Sequence, residues 1–302
     1  MTSKWHDAVP TRQAWITAPV LSLAGLIAGL ITTGWFFLTR PSGQVVDQLA
    51  LLGARDYPEH RSGKFRGAAY DALVAVTMPV RELAAIWVVI VAAVIVLAVA
   101  AAQRKWLLAL AAIVLFAGAN LTTQAIKKLW EQPVHDLYQT YGNSWPSGHT
   151  TLVATACLAL LLVAPGRWRW VVAILGSVAT TFMAWATILS GWHRPSDTVA
   201  AILVSAIWYV LVEIARRSMA PVPLTAGVRS PVAIRILDIL SGICAALGVG
   251  ILAATLLTLP DTPVADMEVA IQRLAFVGAF FGVAAIALGT NRVLLTVGPH
   301  ED

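Results

Sequence analysis

Trp145-Pro-Ser-Gly-His149 and His193-Arg-Pro-Ser-Asp197 stand at the edges of long apolar runs, within the segment Lys127–Asp197. In each, a His lies beside Pro, Ser or Gly, where the chain leaves a polar loop and turns into a helix. The first turn of a helix presents unpaired N–H groups and the positive end of the dipole, so Ser147, Gly148 and their neighbours can hold a phosphate. Pro146 suits the first helical position, where its missing N–H is not needed. Gly148 leaves room for close backbone approach. His193 and Asp197 are four residues apart, which puts them on one face of a helix. A carboxylate on one imidazole nitrogen fixes the tautomer and leaves the other nitrogen for attack or proton transfer. Two histidines facing each other divide the work of phosphoryl transfer: one attacks, the other protonates the leaving oxygen.

The surroundings of these stretches define the class of protein. Hydrophobic residues make up 58% of the 302 and charged residues only 12%, against about 25% charged in soluble domains. The apolar content runs the length of the chain, so the domain itself is embedded in a membrane. The expected fold is all-α, a polytopic membrane bundle of about eight spanning helices. The spans fall at about Ala14–Leu38, Leu83–Ala102, Trp106–Ile126, Pro146–Ala164, Trp168–Leu189, Ser196–Ile214, Ile236–Leu259 and Val269–Val297. Each is near the ~20 residues needed to cross the hydrocarbon core. The first is longer than a signal-peptide core of ~7–15 residues and reads as a retained span.

Pro41–Arg81 is the longest polar segment. Its two ends show apolar residues at helical spacing, compatible with short interfacial helices. A lid or lipid entrance and a solvated connector are both open. Arg61, Lys64 and Arg66 within it could reach a phosphate or simply face water. A Pro-containing linker from Ser218 to Arg229 divides the chain into a core at 1–217, with an outer loop at 39–82, and a linker plus two additional spans at 218–302.

The formal charge of +5 and pI near 9.5 do not point to nucleic acid. The basic residues sit between apolar runs, where they orient helices and meet anionic lipid. Their density in short loops, Arg104, Lys105, Arg167, Arg169, Arg216 and Arg217 among them, predicts a cytoplasmic N-terminus. Two spans separate the loop before Pro146 from the loop before Ser196, so both histidines open on one side, the extracytoplasmic face of a bacterial-type plasma membrane. Trp5, Trp15, Trp35, Trp106, Trp130, Trp145, Trp168, Trp170 and Trp192 read as an aromatic belt, with Trp145 and Trp192 also able to wall the site. Glu213 and Asp238 are expected to pair locally with Arg216, Arg217 and Arg235. His6, His60 and His300 read as interfacial, and His135 as a loop residue. Cys157 and Cys244 read as small buried hydrophobes. The sequence holds no H-E-x-x-H, Walker loop or dinucleotide fingerprint, and neither metal nor cofactor is expected.

Pro146-Ser-Gly-His149, followed after about forty residues by Gly191-Trp-His193-Arg-Pro-Ser-Asp197, resembles the second and third signatures of the type 2 phosphatidic acid phosphatase family, whose fold is shared with vanadium haloperoxidases. The resemblance covers roughly 83–214 and implies a six-helix core and a membrane lipid phosphatase acting through a phosphohistidine. It casts His193 as nucleophile, Asp197 as the group that orients it, and His149 as general acid. The sequence departs from the family at two places: Gln132 stands where the first signature has Arg, and Ala186 and Thr187 stand where the third opens with Ser-Arg. Lys127, Lys128 and Arg194 are the remaining sources of positive charge for a phosphate, though Lys lacks the bidentate fork of Arg. The implied substrate is a lipid phosphate or diphosphate. A phosphotransferase using the same histidines and a non-catalytic head-group binder or scaffold are the alternatives.

Overall fold

The computed structural model describes residues 12–59, 86–130, 144–219, 231–259 and 268–297. The described residues are helical throughout, joined by turns, with no strand among them. Helix α1 (Arg12–Gly34) continues through a π-helical turn at Trp35–Thr39. It is followed by α2 (Pro41–Glu59), α3 (Ile86–Ala102), α4 (Trp106–Leu129), α5 (Gly148–Val163), α6 (Arg169–Leu189), α7 (Pro195–Met219), α8 (Pro231–Leu257) and α9 (Val269–Val297). The protein is an all-α polytopic membrane protein. Six of these helices (α1 with its π turn, α4, α6, α7, α8 and α9) are long and apolar enough to cross a bilayer.

The other two expected spans, α3 and α5, are apolar but shorter. The 16 residues of α5 extend about 24 Å at 1.5 Å per residue, less than the ~30 Å hydrocarbon core. Its start is set by Ser147, whose hydroxyl accepts from the Thr150 N–H at 3.4 Å.

Helix α7 is the axis of the bundle, packed against α1, α4, α5, α6 and α9. Its inward residues Ala200, Ala201, Val204, Ser205, Ala206 and Tyr209 are fully or almost fully buried. Small residues at this spacing let neighbouring backbones approach closely. At its far end Glu213, fully buried, accepts from Arg216 Nε and Nη2 at 2.9 Å each and from Arg217 Nε at 2.7 Å. Local pairing of Glu213 is as the sequence suggests. Asp238 instead accepts from Arg292 Nε on α9 at 2.8 Å, so its partner is not Arg235. Arg169 does not lie in a wet loop. It is buried, donating from Nη1 to the Leu161 carbonyl at 2.8 Å and from Nη2 to the Tyr209 hydroxyl at 3.1 Å.

The largest departure from expectation is α2. A solvated connector fails for its described residues: Val46, Leu49, Ala50 and Ala54 form a buried face packed along α9. At Gly53 a Cβ would lie 2.1 Å from the Gln272 carbonyl oxygen of α9, so only glycine permits this approach. The charged remainder of that segment, with His60, Arg61, Lys64 and Arg66, lies outside the described residues, as do Trp5, Gln132, His135 and His300.

The tryptophan belt holds in part. Trp35, Trp106, Trp130, Trp168, Trp170 and Trp192 are exposed. Trp145 is not, being buried against Leu38, Ala200 and the face of Gly34. It fills the space between α1 and α7 and does not wall an open site. Cys157, buried, and Cys244 are both unpaired thiols.

Candidate active site

The N-termini of α5 and α7 lie side by side, tied by a hydrogen bond of 2.8 Å from the Ser147 N–H to the Asp197 carbonyl. The two motifs thus meet at one end of the bundle. His193 is carried by the turn that ends α6. Gly191, at φ 69°, reverses the chain, and the Thr187 carbonyl accepts from the Trp192 N–H at 3.1 Å and the His193 N–H at 3.3 Å. Ala186 and Thr187 are fully buried. The place where the resemblance expects Arg therefore supports the His193 turn through its backbone.

Asp197 occupies the third position of α7 and does two things at once. Its Oδ2 reaches back to the Arg194 N–H at 3.0 Å, closing the first turn as a capping carboxylate. The same oxygen meets His193 Nδ1 at 3.2 Å and accepts from the Ser144 hydroxyl at 2.6 Å. His193 is 8% exposed and Asp197 is 0%, so the pair is shielded from water. With Nδ1 donating to Asp197, the lone pair of His193 lies on Nε2. Asp197 Oδ1 is buried with no hydrogen-bond partner.

His149, half-buried in the first turn of α5, lies against the exposed ring of Trp192, with centroids 5.4 Å apart. Trp192 immediately precedes His193, so the same turn presents both the ring that backs His149 and the second imidazole. Ser147 is fully buried, its N–H and hydroxyl both engaged in fixing the start of α5. Gly148 is more open, and a Cβ there would lie 3.8 Å from Lys127 Nζ. The structure therefore brings Lys127 to the first turn of α5, while Lys128 is exposed at the end of α4. Arg194 Nε donates to Gln48 Oε1 at 3.1 Å.

Three participants were not foreseen. Ser144 has no signal beyond its nearness to Trp145. Asp47 and Gln48 come from α2, far away in sequence. Asp47, almost fully buried, accepts from the Ser196 N–H at 3.0 Å and the Ser196 hydroxyl at 2.6 Å. It thereby supplies the first turn of α7 with an acceptor from another helix. Burial pushes its carboxyl up to about 7, with the Asp197 charge adding to the rise and Arg194 and the Ser196 bonds opposing it. A carboxylate flanked by Val45, Val46, Leu49 and Ala50 at helical spacing was the available clue, since an acid on a buried face needs a donor.

The sequence of this region is similar to known proteins. Residues 105–217 match the PAP2 superfamily. A stretch of 79 residues is 32% identical to the undecaprenyl-diphosphatase of Sulfolobus acidocaldarius (strain ATCC 33909 / DSM 639 / JCM 8929 / NBRC 15157 / NCIMB 11770), covering 26% of this chain and 36% of that protein. The match thus spans about a third of the relative's length. No solved structure matches the chain. The PAP2 segment runs from α4 through α7 and contains both histidine motifs. Asp47 and Gln48, in α2, and the whole of α8 and α9 lie outside it.

Proposed function

We propose that the protein is an integral membrane phosphatase that hydrolyses a lipid phosphate or diphosphate at the extracytoplasmic face. The observation that carries this reading is the buried His193–Asp197 pair, at 3.2 Å, beside the His149-bearing first turn of α5. The PAP2 match and the undecaprenyl-diphosphatase relative support the same class of substrate, with a polyprenyl diphosphate as one member.

In this mechanism Lys127, with the α5 N-terminus at Gly148, holds the phosphoryl group and offsets charge as it transfers. His193 Nε2 attacks phosphorus, forming a P–N bond as the P–O bond to the leaving group breaks. Asp197 accepts from Nδ1–H and stabilises the imidazolium that results. His149 gives its proton to the leaving oxygen. Water then attacks the phosphohistidine, passing a proton to His149, and the P–N bond breaks to release phosphate and restore His193. No step is assigned to a metal.

A second reading, a non-catalytic head-group binder, draws on Gln132 and Thr187 standing where arginine would serve. Phosphate release from a panel of polyprenyl diphosphates and glycerophospholipid phosphates separates the two. Wild type is expected to release phosphate, and His193→Ala to lose at least about 10⁴-fold of that rate while remaining folded. Turnover in the variant at the wild-type rate would end the phosphohistidine mechanism. No release by wild type from any member would leave the binder.

A further inference from the structure

On the far side of the α7 N-terminus from His193 lies a cleft of about 300 Å³ enclosed by α1, α2, α7, α8 and α9. Its wall toward the site is Pro195 and Ser196, the residues between Arg194 and Asp197. Asp47, Ser196 and Thr33 supply its polar groups, and all three are engaged elsewhere. Asp47 and Ser196 bond each other, and the Thr33 hydroxyl donates to the Gly29 carbonyl at 2.8 Å. What remains is a hydrocarbon surface with small residues along it, Ala245 on α8 and Ala279 and Gly282 on α9; Gly248 lets the α8 and α9 backbones touch, since a Cβ there would lie 2.8 Å from the Gly282 nitrogen. At Gly282 an added Cβ would meet nothing within 4 Å. Val249 on the rim is 69% exposed, so the cleft communicates with the lipid phase around the bundle.

Such a site, polar only through groups already satisfied, excludes a charged or hydrogen-bonding ligand and favours an alkyl or isoprenyl chain. Its wall of Pro195 and Ser196, directly adjoining Arg194 and Asp197 in the chain, suits a chain whose phosphate is held at the mouth of α5 and α7. We propose that this cleft binds the hydrocarbon chain of the lipid phosphate processed at His193, so that the α8–α9 pair, outside the PAP2 segment, selects the substrate by its chain. The proposal rests on the phosphatase reading for its substrate, while occupancy of the cleft can be measured without turnover.

The test uses the full chain reconstituted in vesicles and two substrates with one headgroup, a long-chain polyprenyl diphosphate and a five-carbon isoprenyl diphosphate. Gly282→Leu, at a cleft-lining position where an added Cβ meets nothing within 4 Å, is expected to raise KM for the long chain about tenfold and to leave kcat/KM for the short one within about twofold. Gly250→Leu is the control. Its Cβ also meets nothing within 4 Å and it does not line the cleft, and it should change neither substrate. An unchanged long-chain KM in Gly282→Leu, or an equal loss on both substrates, overturns the proposal.

A second measurement is photolabelling with a diazirine-bearing polyprenyl diphosphate. Label is expected on α8 and α9 around Val249, Leu252 and Ile286, and is lost in Gly282→Leu. Label placed elsewhere, or equal labelling of the cleft by a diazirine-bearing phosphatidylcholine, also overturns it, the latter assigning the cleft to bilayer lipid. Absence of phosphate release by wild type would remove the phosphatase reading alone, since labelling still decides what occupies the cleft.

Discussion

Helix α7 buries a carboxylate at each end, and the two are handled in opposite ways. Glu213, toward the C-terminus, is surrounded by permanently charged donors, with Arg216 and Arg217 placing three N–H groups on its two oxygens. Asp197, at the N-terminus, loads a single oxygen with a hydroxyl, a backbone N–H and an imidazole, and leaves the other bare. Around Glu213 two guanidinium groups face one carboxylate, and both of its oxygens are engaged. At Asp197 one of the partners is the imidazole of His193, bound through Nδ1 and carrying a second ring nitrogen. Equal burial thus says little about role. What separates a fastening from a reactive group is whether the partner retains a free lone pair.

The comparison can be broken by exchanging what each end does. Glu213→Ala strands two guanidinium groups in a partly buried place, and is expected to cost about 3 kcal/mol of stability. The loss is read as a lower melting temperature, with kcat at low temperature within about twofold of wild type. A variant that melts as wild type would show the cluster to be dispensable. Asp197→Asn should do the reverse, with a fall in kcat of about 10²-fold because the amide presents the wrong group to Nδ1, and a small change in melting temperature. If its main effect were on melting, Asp197 would belong with Glu213 as a fastening.

Smaller effects sharpen the picture. Lys127→Met removes the ammonium beside Gly148 and, on the proposed role of Lys127 in holding phosphate and offsetting charge in transfer, is expected to raise KM about tenfold and to lower kcat as well. An unchanged KM would remove Lys127 from the site. The slightest effect is a pH slope. With its carboxyl raised from 3.8 to about 7, Asp47 contributes stability that is complete below pH 3.8 and lost as pH rises through about 7. The groups facing it are Ser196, Asp197 and Arg194. Melting temperature should therefore fall from pH 5 to pH 8 in wild type and remain flatter in Asp47→Asn, whose amide oxygen still caps Ser196. Parallel curves would contradict the raised value.

Much of this architecture was legible because hydropathy and motif spacing are local properties. Apolar run length located α4, α6, α7, α8 and α9, and the spacing of His193 and Asp197 marked them as a pair, although His193 lies in the turn before α7 and not on its face. The meeting of His149 and His193 at one end followed from counting spans between their loops. What escaped was anything supplied across a long sequence separation or by burial. Asp47 reads as one more acid in a polar segment until α9 is seen packed on α2. Trp145 reads as an interface residue until Gly34 opens a space for its ring. Arg169 reads as a loop cation until Tyr209 and the Leu161 carbonyl are found around its guanidinium. In each case the deciding partner lies on another helix, and no local pattern encodes it.

The acceptor that caps α7 has a temporal implication. Asp47 is translated 149 positions before Ser196, the residue that satisfies it, and the carbonyl of Gln272 that seats against Gly53 follows later still. An acid without its donor is costly to bury, so the seat observed for Asp47 requires α7 to be in place already, and the close contact at Gly53 requires α9.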